Sequence, residues 1–212
     1  MLFIFDWDGT LLDSADRIVA VMQQATTDCG FDQLAPASIK NIIGLGLPEA
    51  LRALFPGLPD VELVRIQAAY SRRFVESEVV PCQLFPGVLE TLEVLRRDGY
   101  RLAVATGKSR RGLVRVLAGL GLSDYFDATR CADETRSKPH PQMLYELLAE
   151  LSVPATQAVM VGDTEYDLAM AVSAGMPRVA VDYGAHAVER LLPYQPGLVL
   201  SDFRRLRDWR WA

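Results

Sequence analysis

Two aspartates one residue apart, Asp6 and Asp8, stand at the end of the apolar run Met1–Phe5 and are followed by Gly9 and Thr10. Carboxylates at the end of a buried strand are costly unless paired or bound to a cation. The pair therefore points to a hard metal ion and a reaction, although the same ten residues also read as a strand ending in an ordinary Asp-Gly turn. Three more polar clusters sit beside predicted elements. Thr106, Gly107, Lys108 and Ser109 follow Arg101–Ala105; Gly162, Asp163, Thr164 and Asp167 follow Ala158–Val161; Lys138-Pro139-His140-Pro141 precedes a helix. Parallel strands bring their carboxyl ends to one edge, where open α/β sheets bind ligands. Four clusters gathered at that edge favour a site over a set of turns.

The elements that must position these residues fall into two stretches. From Ser14 to about residue 80 the pattern is helical throughout. Ser14 is a plausible N-cap for a helix carrying Ile18, Val19 and Met22 and ending at Gly30. A short segment opens at Pro36 and stops at Gly44–Pro48, and Pro48 starts a helix carrying Leu51, Leu54 and Phe55. The spacing predicts a longer helix from about Asp60 to Glu78 with Val61, Val64, Ala68 and Phe74 on its apolar side. From Pro86 onward, helices alternate with the strands Arg101–Ala105, Phe126–Arg130, Ala158–Val161 and Arg178–Val181. That alternation implies a parallel sheet covered by helices on both faces. The reading is an α/β core, residues 1–13 and 82–212, with an all-helical insert, residues 14–81. The Arg- and Trp-rich end, Arg204–Ala212, reads as a terminal helix with Trp209 or Trp211 on the core.

Composition sets limits. The 212 residues include 50% apolar ones and carry a net charge of −5. No basic face for nucleic acid is expected, and no stretch has the length of a membrane span. Cys29, Cys82 and Cys131 are odd in number and lack CxxC spacing, as expected of reduced thiols in a cytoplasmic protein. Only Lys40, Lys108 and Lys138 supply lysine among 22 basic residues, so a lysine beside a motif is less easily dismissed as a solvated surface group.

With four motifs in order, the chain resembles the haloacid dehalogenase superfamily, specifically phosphatases with a helical cap similar to phosphoglycolate phosphatases. Asp6-Trp7-Asp8-Gly9-Thr10 matches the first motif, Thr106 the second, Lys138 the third, and Gly162-Asp163 with Asp167 the fourth. The resemblance covers nearly the whole chain and implies a Rossmann-like parallel core with an inserted cap. It makes Asp6 the nucleophile that forms an aspartyl-phosphate and Asp8 the general acid and base. Lys138 becomes the fixed cation, and Thr106 and Gly107 hold a phosphoryl oxygen. Mg²⁺ would be held by Asp6, the backbone carbonyl of Asp8, and Asp163; Asp167 is either a ligand or a support behind them. The substrate class it implies is a small phosphorylated metabolite, and a monomer or weak homodimer is the default assembly.

Several residues stay open. Lys108 either touches substrate or does not. His140 is expected to be structural and His186 a surface residue. Asp13 and Asp16 support the first helix of the insert. Gly44–Leu47 is the insert loop expected to reach the site, and each of Arg52, Arg65, Arg72 and Arg73 fits a solvated helix face better than a substrate contact. Trp7 departs from the Leu familiar in these phosphatases. Trp is familiar there in phosphonoacetaldehyde hydrolases, which use a cap lysine and lack the second aspartate; here Asp8 is present and Lys40 is the sole lysine of the insert. A sugar-phosphate mutase similar to β-phosphoglucomutase shares the core residues. Dehalogenation leaves Asp8 and a metal without a task, and a catalytically idle binding module leaves a full motif set unexplained.

Overall fold

A computed structural model describes residues 1–77 and 82–210. Its centre is β1 (Leu2–Phe5), whose four residues are all buried. The strands β2 (Arg101–Thr106), β3 (Ala128–Cys131), β4 (Ala158–Gly162), β5 (Arg178–Val181) and β6 (Leu198–Leu200) complete the sheet. Their order is β3-β2-β1-β4-β5-β6, with every neighbouring pair parallel. The chain runs outward from β1 through β2 to β3, then returns to the other side of β1 for β4. That reversal opens the crevice at the carboxyl ends of β1 and β4 where such sheets place ligands.

Alternation along the strands sends side chains to two separate cores. Phe3, Phe5, Leu102, Val104, Val159 and Val161 pack on one face with α5 (Val88–Arg97), α6 (Arg110–Gly119) and the short 3₁₀ turn Phe203–Asp208. Leu2, Ile4, Ala103, Ala105 and Met160 pack on the other with α7 (Gln142–Glu150) and α8 (Glu165–Ser173). Burial on both faces is why these strands read as unbroken apolar runs rather than alternating ones. A short helix α9 (Val188–Leu191) precedes β6; neither was expected from the sequence.

Between β1 and α5 lie α1 (Ala15–Asp28), α2 (Pro36–Lys40), α3 (Leu47–Leu54) and α4 (Asp60–Glu76). They share an apolar cluster of their own, including Ile18, Met22, Ile39, Leu51, Leu63 and Ile66. No strand occurs among the described residues of this segment. The apolar side predicted for α4 is corrected. Val61 and Val64 are 71% and 63% exposed, and Ala68 is exposed; Leu63, Ile66 and Ala69 are buried instead, with Phe74 half-buried. The helix carries two overlapping apolar stripes, and packing against α1 selects the second. The predicted helix end at Glu78 and the segment boundary at Pro81 lie outside the described residues. Ser14 does occupy the N-cap position of α1, but its hydroxyl makes no capping bond and turns to Asp8 instead.

The expected terminal helix is only the 3₁₀ turn ending at Asp208. Trp209 packs against the first core, and Trp211 falls outside the described residues. No helix of the described residues is long and apolar enough to cross a membrane.

Candidate active site

The carboxyl end of β1 delivers Asp6, that of β4 delivers Asp163, and the first turn of α8 delivers Asp167. Oxygens of these three buried carboxylates all lie within 4.8 Å of one another. Such crowding of like charge needs a cation, and Lys138 supplies one. Its ammonium, in a residue 2% exposed, sits 2.7 Å from Asp6 Oδ1 and 2.6 Å from Asp167 Oδ1. Burial alone would lower the Lys138 pKa; the Asp167 and Asp6 charges outweigh it and hold it raised. One cation does not balance three carboxylates. Burial pushes the Asp6 pKa well up despite Lys138, and burial together with the Asp167 charge raises Asp163 to about 7.

Local structure fixes each oxygen. Thr164 caps α8: its hydroxyl accepts from the Asp167 amide, and Asp167 Oδ2 accepts from the Thr164 amide at 3.1 Å and its hydroxyl at 2.7 Å. With Oδ1 on Lys138, both Asp167 oxygens are engaged. Asp163 accepts one hydrogen bond per oxygen, from Thr10 Oγ1 at 2.7 Å and from the Ala185 amide at 2.8 Å. Gly9, with φ of +85°, passes so close that a Cβ there would stand 2.2 Å from Asp163 Oδ2. Asp6 Oδ2 is buried with no hydrogen-bond partner. An orphaned buried carboxylate oxygen, in an all-oxygen set of which Asp6 borders the cleft, fits a hard divalent cation.

Asp8 is outside the three-carboxylate group. Its Oδ1 accepts from Ser14 Oγ at 2.6 Å and pairs with Lys108 Nζ at 3.1 Å. Lys108 Nζ also lies 4.6 Å from the centroid of the Phe74 ring, so α4 reaches the acid through one lysine. Burial, then the Asp8 charge, raises the Tyr70 hydroxyl well above its ordinary value. Thr106 closes β2, and its Oγ1 accepts from the Lys108 amide at 3.1 Å, which leaves its own proton to donate. Ser109, not Thr106, caps α6 by accepting from the Gly112 amide. A Cβ on Gly107 would stand 2.6 Å from the carbonyl oxygens of both Gly44 and Leu45. The loop expected to reach the site does reach it, and Gly46 N donates to Ser137 Oγ at 2.7 Å.

Elsewhere the expectations divide. Asp16 pairs with Lys40 at 3.1 Å at the start of α1. Arg65 and Arg73 hold the Cys29 carbonyl and Asp28, and Arg52 lies 3.9 Å from Asp60. His140 is structural: its Nδ1 accepts from the Gln142 amide at the start of α7. His186 is not a surface residue; it is 2% exposed. Its Nδ1 accepts from the Glu165 amide, its Nε2 lies 3.2 Å from the Asn41 carbonyl, and burial lowers its pKa. Tyr166 Oη donates to the same carbonyl at 2.8 Å. Ser14, Phe74 and this anchor were missed as site neighbours. Ser14 carried a signal, a hydroxyl six residues after Asp8, but the helix-cap role absorbed it.

The sequence profile of the haloacid dehalogenase-like hydrolases matches residues 3–181. "Probable phosphatase IndB" of Dickeya dadantii is 38% identical over 95% of this chain and 90% of its own length. A phosphoglycolate phosphatase of Cupriavidus necator is 36% identical over 85% of this chain and 80% of its own. A crystal structure of a hydrolase from Pseudomonas syringae superposes with a TM-score of 0.89 at 23% identity, covering 97% of this chain and 95% of the other; it speaks for the fold alone.

Proposed function

Because the chain belongs to the haloacid dehalogenase-like hydrolase family, we propose that it is a Mg²⁺-dependent phosphatase acting on phosphate monoesters through a phosphoryl-Asp6 intermediate. One observation carries the reading. A buried carboxylate with a partnerless oxygen, Asp6 Oδ2, is gripped from behind by a buried lysine at 2.7 Å. A carboxylate needs no base to attack phosphorus, and Lys138 holds its position while facing the charge that develops on the phosphoryl group.

In the first half-reaction an Asp6 oxygen bonds to phosphorus as the bond to the leaving alkoxide breaks, and Asp8 protonates that alkoxide. In the second, Asp8 takes a proton from water, which attacks phosphorus and frees Asp6 and inorganic phosphate. Ser14 and Lys108 both engage Asp8 Oδ1, so Oδ2 is the oxygen that carries the proton. Thr106 donates its hydroxyl proton to a phosphoryl oxygen beside the Gly107 amide. Mg²⁺ would be held by Asp6, the Asp8 carbonyl and Asp163, where it would offset phosphoryl charge beside the carboxylates. Asp167, whose Oδ2 accepts two hydrogen bonds and whose Oδ1 accepts the Lys138 ammonium, orients Lys138 rather than binding the ion, whereas each Asp163 oxygen accepts one hydrogen bond and keeps a lone pair. Residues 14–81 act as a cap that covers the site and reads the leaving group. Lys40 pairs with Asp16 on the surface, 43% exposed in its side chain, which speaks against a Schiff-base lysine and C–P cleavage.

The test is phosphate release from a panel of monoesters with Mg²⁺, with and without chelation. Wild type should release phosphate only with the metal, and Asp6→Ala should release none. Undiminished turnover by Asp6→Ala, or after exhaustive chelation, would refute the mechanism.

A further inference from the structure

The cleft in front of Asp6 and Asp8 has a volume of about 520 Å³. That falls in the ~300–1,000 Å³ range of sites that enclose drug-sized ligands, and a two-carbon acid would leave most of it to water. Its inner wall is apolar: Ile18, Met22 and Ile43 line it and are buried. Tyr70 and Phe74 of α4 add a pair of rings, centroids 5.6 Å apart and tilted by 38°. Phe74 packs on Lys108, which reaches Asp8 at 3.1 Å, so the ring pair borders the point where a leaving group departs.

The lysine nearest the acid and two arginines of the insert are already engaged. Lys108 is engaged by Asp8. Arg65 and Arg73 are held by the Cys29 carbonyl and Asp28. Of the three arginines that line the cleft, Arg72 and Arg111 are exposed and Arg115 of α6 is half-buried. A carboxylate pressed on the apolar wall would lose hydration without a partner, whereas a hydrocarbon ring gains by burial.

We propose that the preferred substrate is a phosphomonoester whose bulky leaving group carries a flat, largely apolar ring that seats on the Tyr70–Phe74 face. The proposal rests on the phosphatase reading and names its substrate class, which differs from the phosphoglycolate of several relatives. Each ring or chain carbon buried should raise kcat/KM about fourfold until the cleft is filled.

The experiment compares ethyl phosphate, 2-phosphoglycolate and 3-phenylpropyl phosphate, all primary alkyl esters, so that differences report binding of the leaving group rather than its ease of departure. With Mg²⁺, 3-phenylpropyl phosphate should exceed both others in kcat/KM by about fiftyfold or more. Phe74→Ala should shrink that ratio at least fivefold. Phe74→Leu keeps apolar bulk in the segment's core and loses only the ring, so it reads the same ratio should the alanine variant fail to fold. Phosphate release with equal kcat/KM for all three, or with phosphoglycolate best, would overturn the inference and leave the phosphatase reading standing. A ratio untouched by either Phe74 variant would overturn the seat on α4. No Mg²⁺-dependent release from any ester, including a broader panel, would overturn both.

Discussion

Lys138 shows how burial changes what a single residue does. The resemblance read from the sequence makes it the fixed cation of the site. In the structure its ammonium is enclosed by Asp6 and Asp167 with no water-exposed end. Removing one partner of a buried charge cluster costs about 3–5 kcal/mol, because the remaining charges stay uncompensated. Lys138→Ala should therefore lose at least about a hundredfold in kcat and also lower the urea midpoint strongly. Equilibrium unfolding beside steady-state kinetics checks both; a variant with wild-type stability would mean that the carboxylates do not depend on Lys138. Asp6, Asp163, Asp167 and Lys138, which the structure brings together, stood out in the sequence because the chemistry proposed for them restricts their type. Their partners did not. Ser14, Thr10 and the Ala185 amide are common groups whose roles depend on where the chain brings Asp8 and Asp163. His186 misled for the same reason, since its burial is created by a carbonyl 145 positions away.

At the scale of elements, the contact between the Gly44–Leu47 loop and the start of α6 is the most exacting. Gly107 does not have a positive φ, so alanine suits its backbone; the obstacle is two carbonyl oxygens 2.6 Å from the added Cβ. Backbone on an anchored loop cannot rotate away as a side chain can. Overpacking of this kind costs about 1–3 kcal/mol, and lifting the loop relieves it without opening the sheet. Gly107→Ala should thus lower kcat/KM about tenfold or more while the thermal midpoint falls by only a few degrees. Full activity would show that the loop need not sit against α6 during turnover. Elements with long apolar runs or clear breakers, such as β1, β5 and α5, were legible in the sequence. The three-residue β6 is too short to show a period, and the phase of α4 depends on its partner α1, since Val61 and Val64 are as apolar as Leu63 and Ile66.

For the whole molecule, the sheet order determines why the site is where it is and what it costs. Placing β1 between β2 and β4 brings Asp6, Thr106 and Asp163 to one edge from positions up to 157 residues apart in the chain. The same convergence buries three carboxylates against one lysine, so the folded state carries uncompensated charge that the unfolded chain leaves in water. A divalent cation bound there should raise global stability, because it binds the folded protein and not the dispersed ligands. Linkage gives about 2.7 kcal/mol at a free concentration of 100 times Kd, which for a chain of this size shifts the melting point by roughly 5–10 °C. Mg²⁺ should therefore raise the Tm in a saturable way that chelator reverses, without any substrate present. Asp163→Asn should abolish that dependence: it removes the carboxylate charge and keeps the acceptor for Thr10 on its amide oxygen, while the Ala185 amide loses its acceptor. A protein that melts at the same temperature with Mg²⁺ and with chelator would show that hydrogen bonding and Lys138 already balance the cluster.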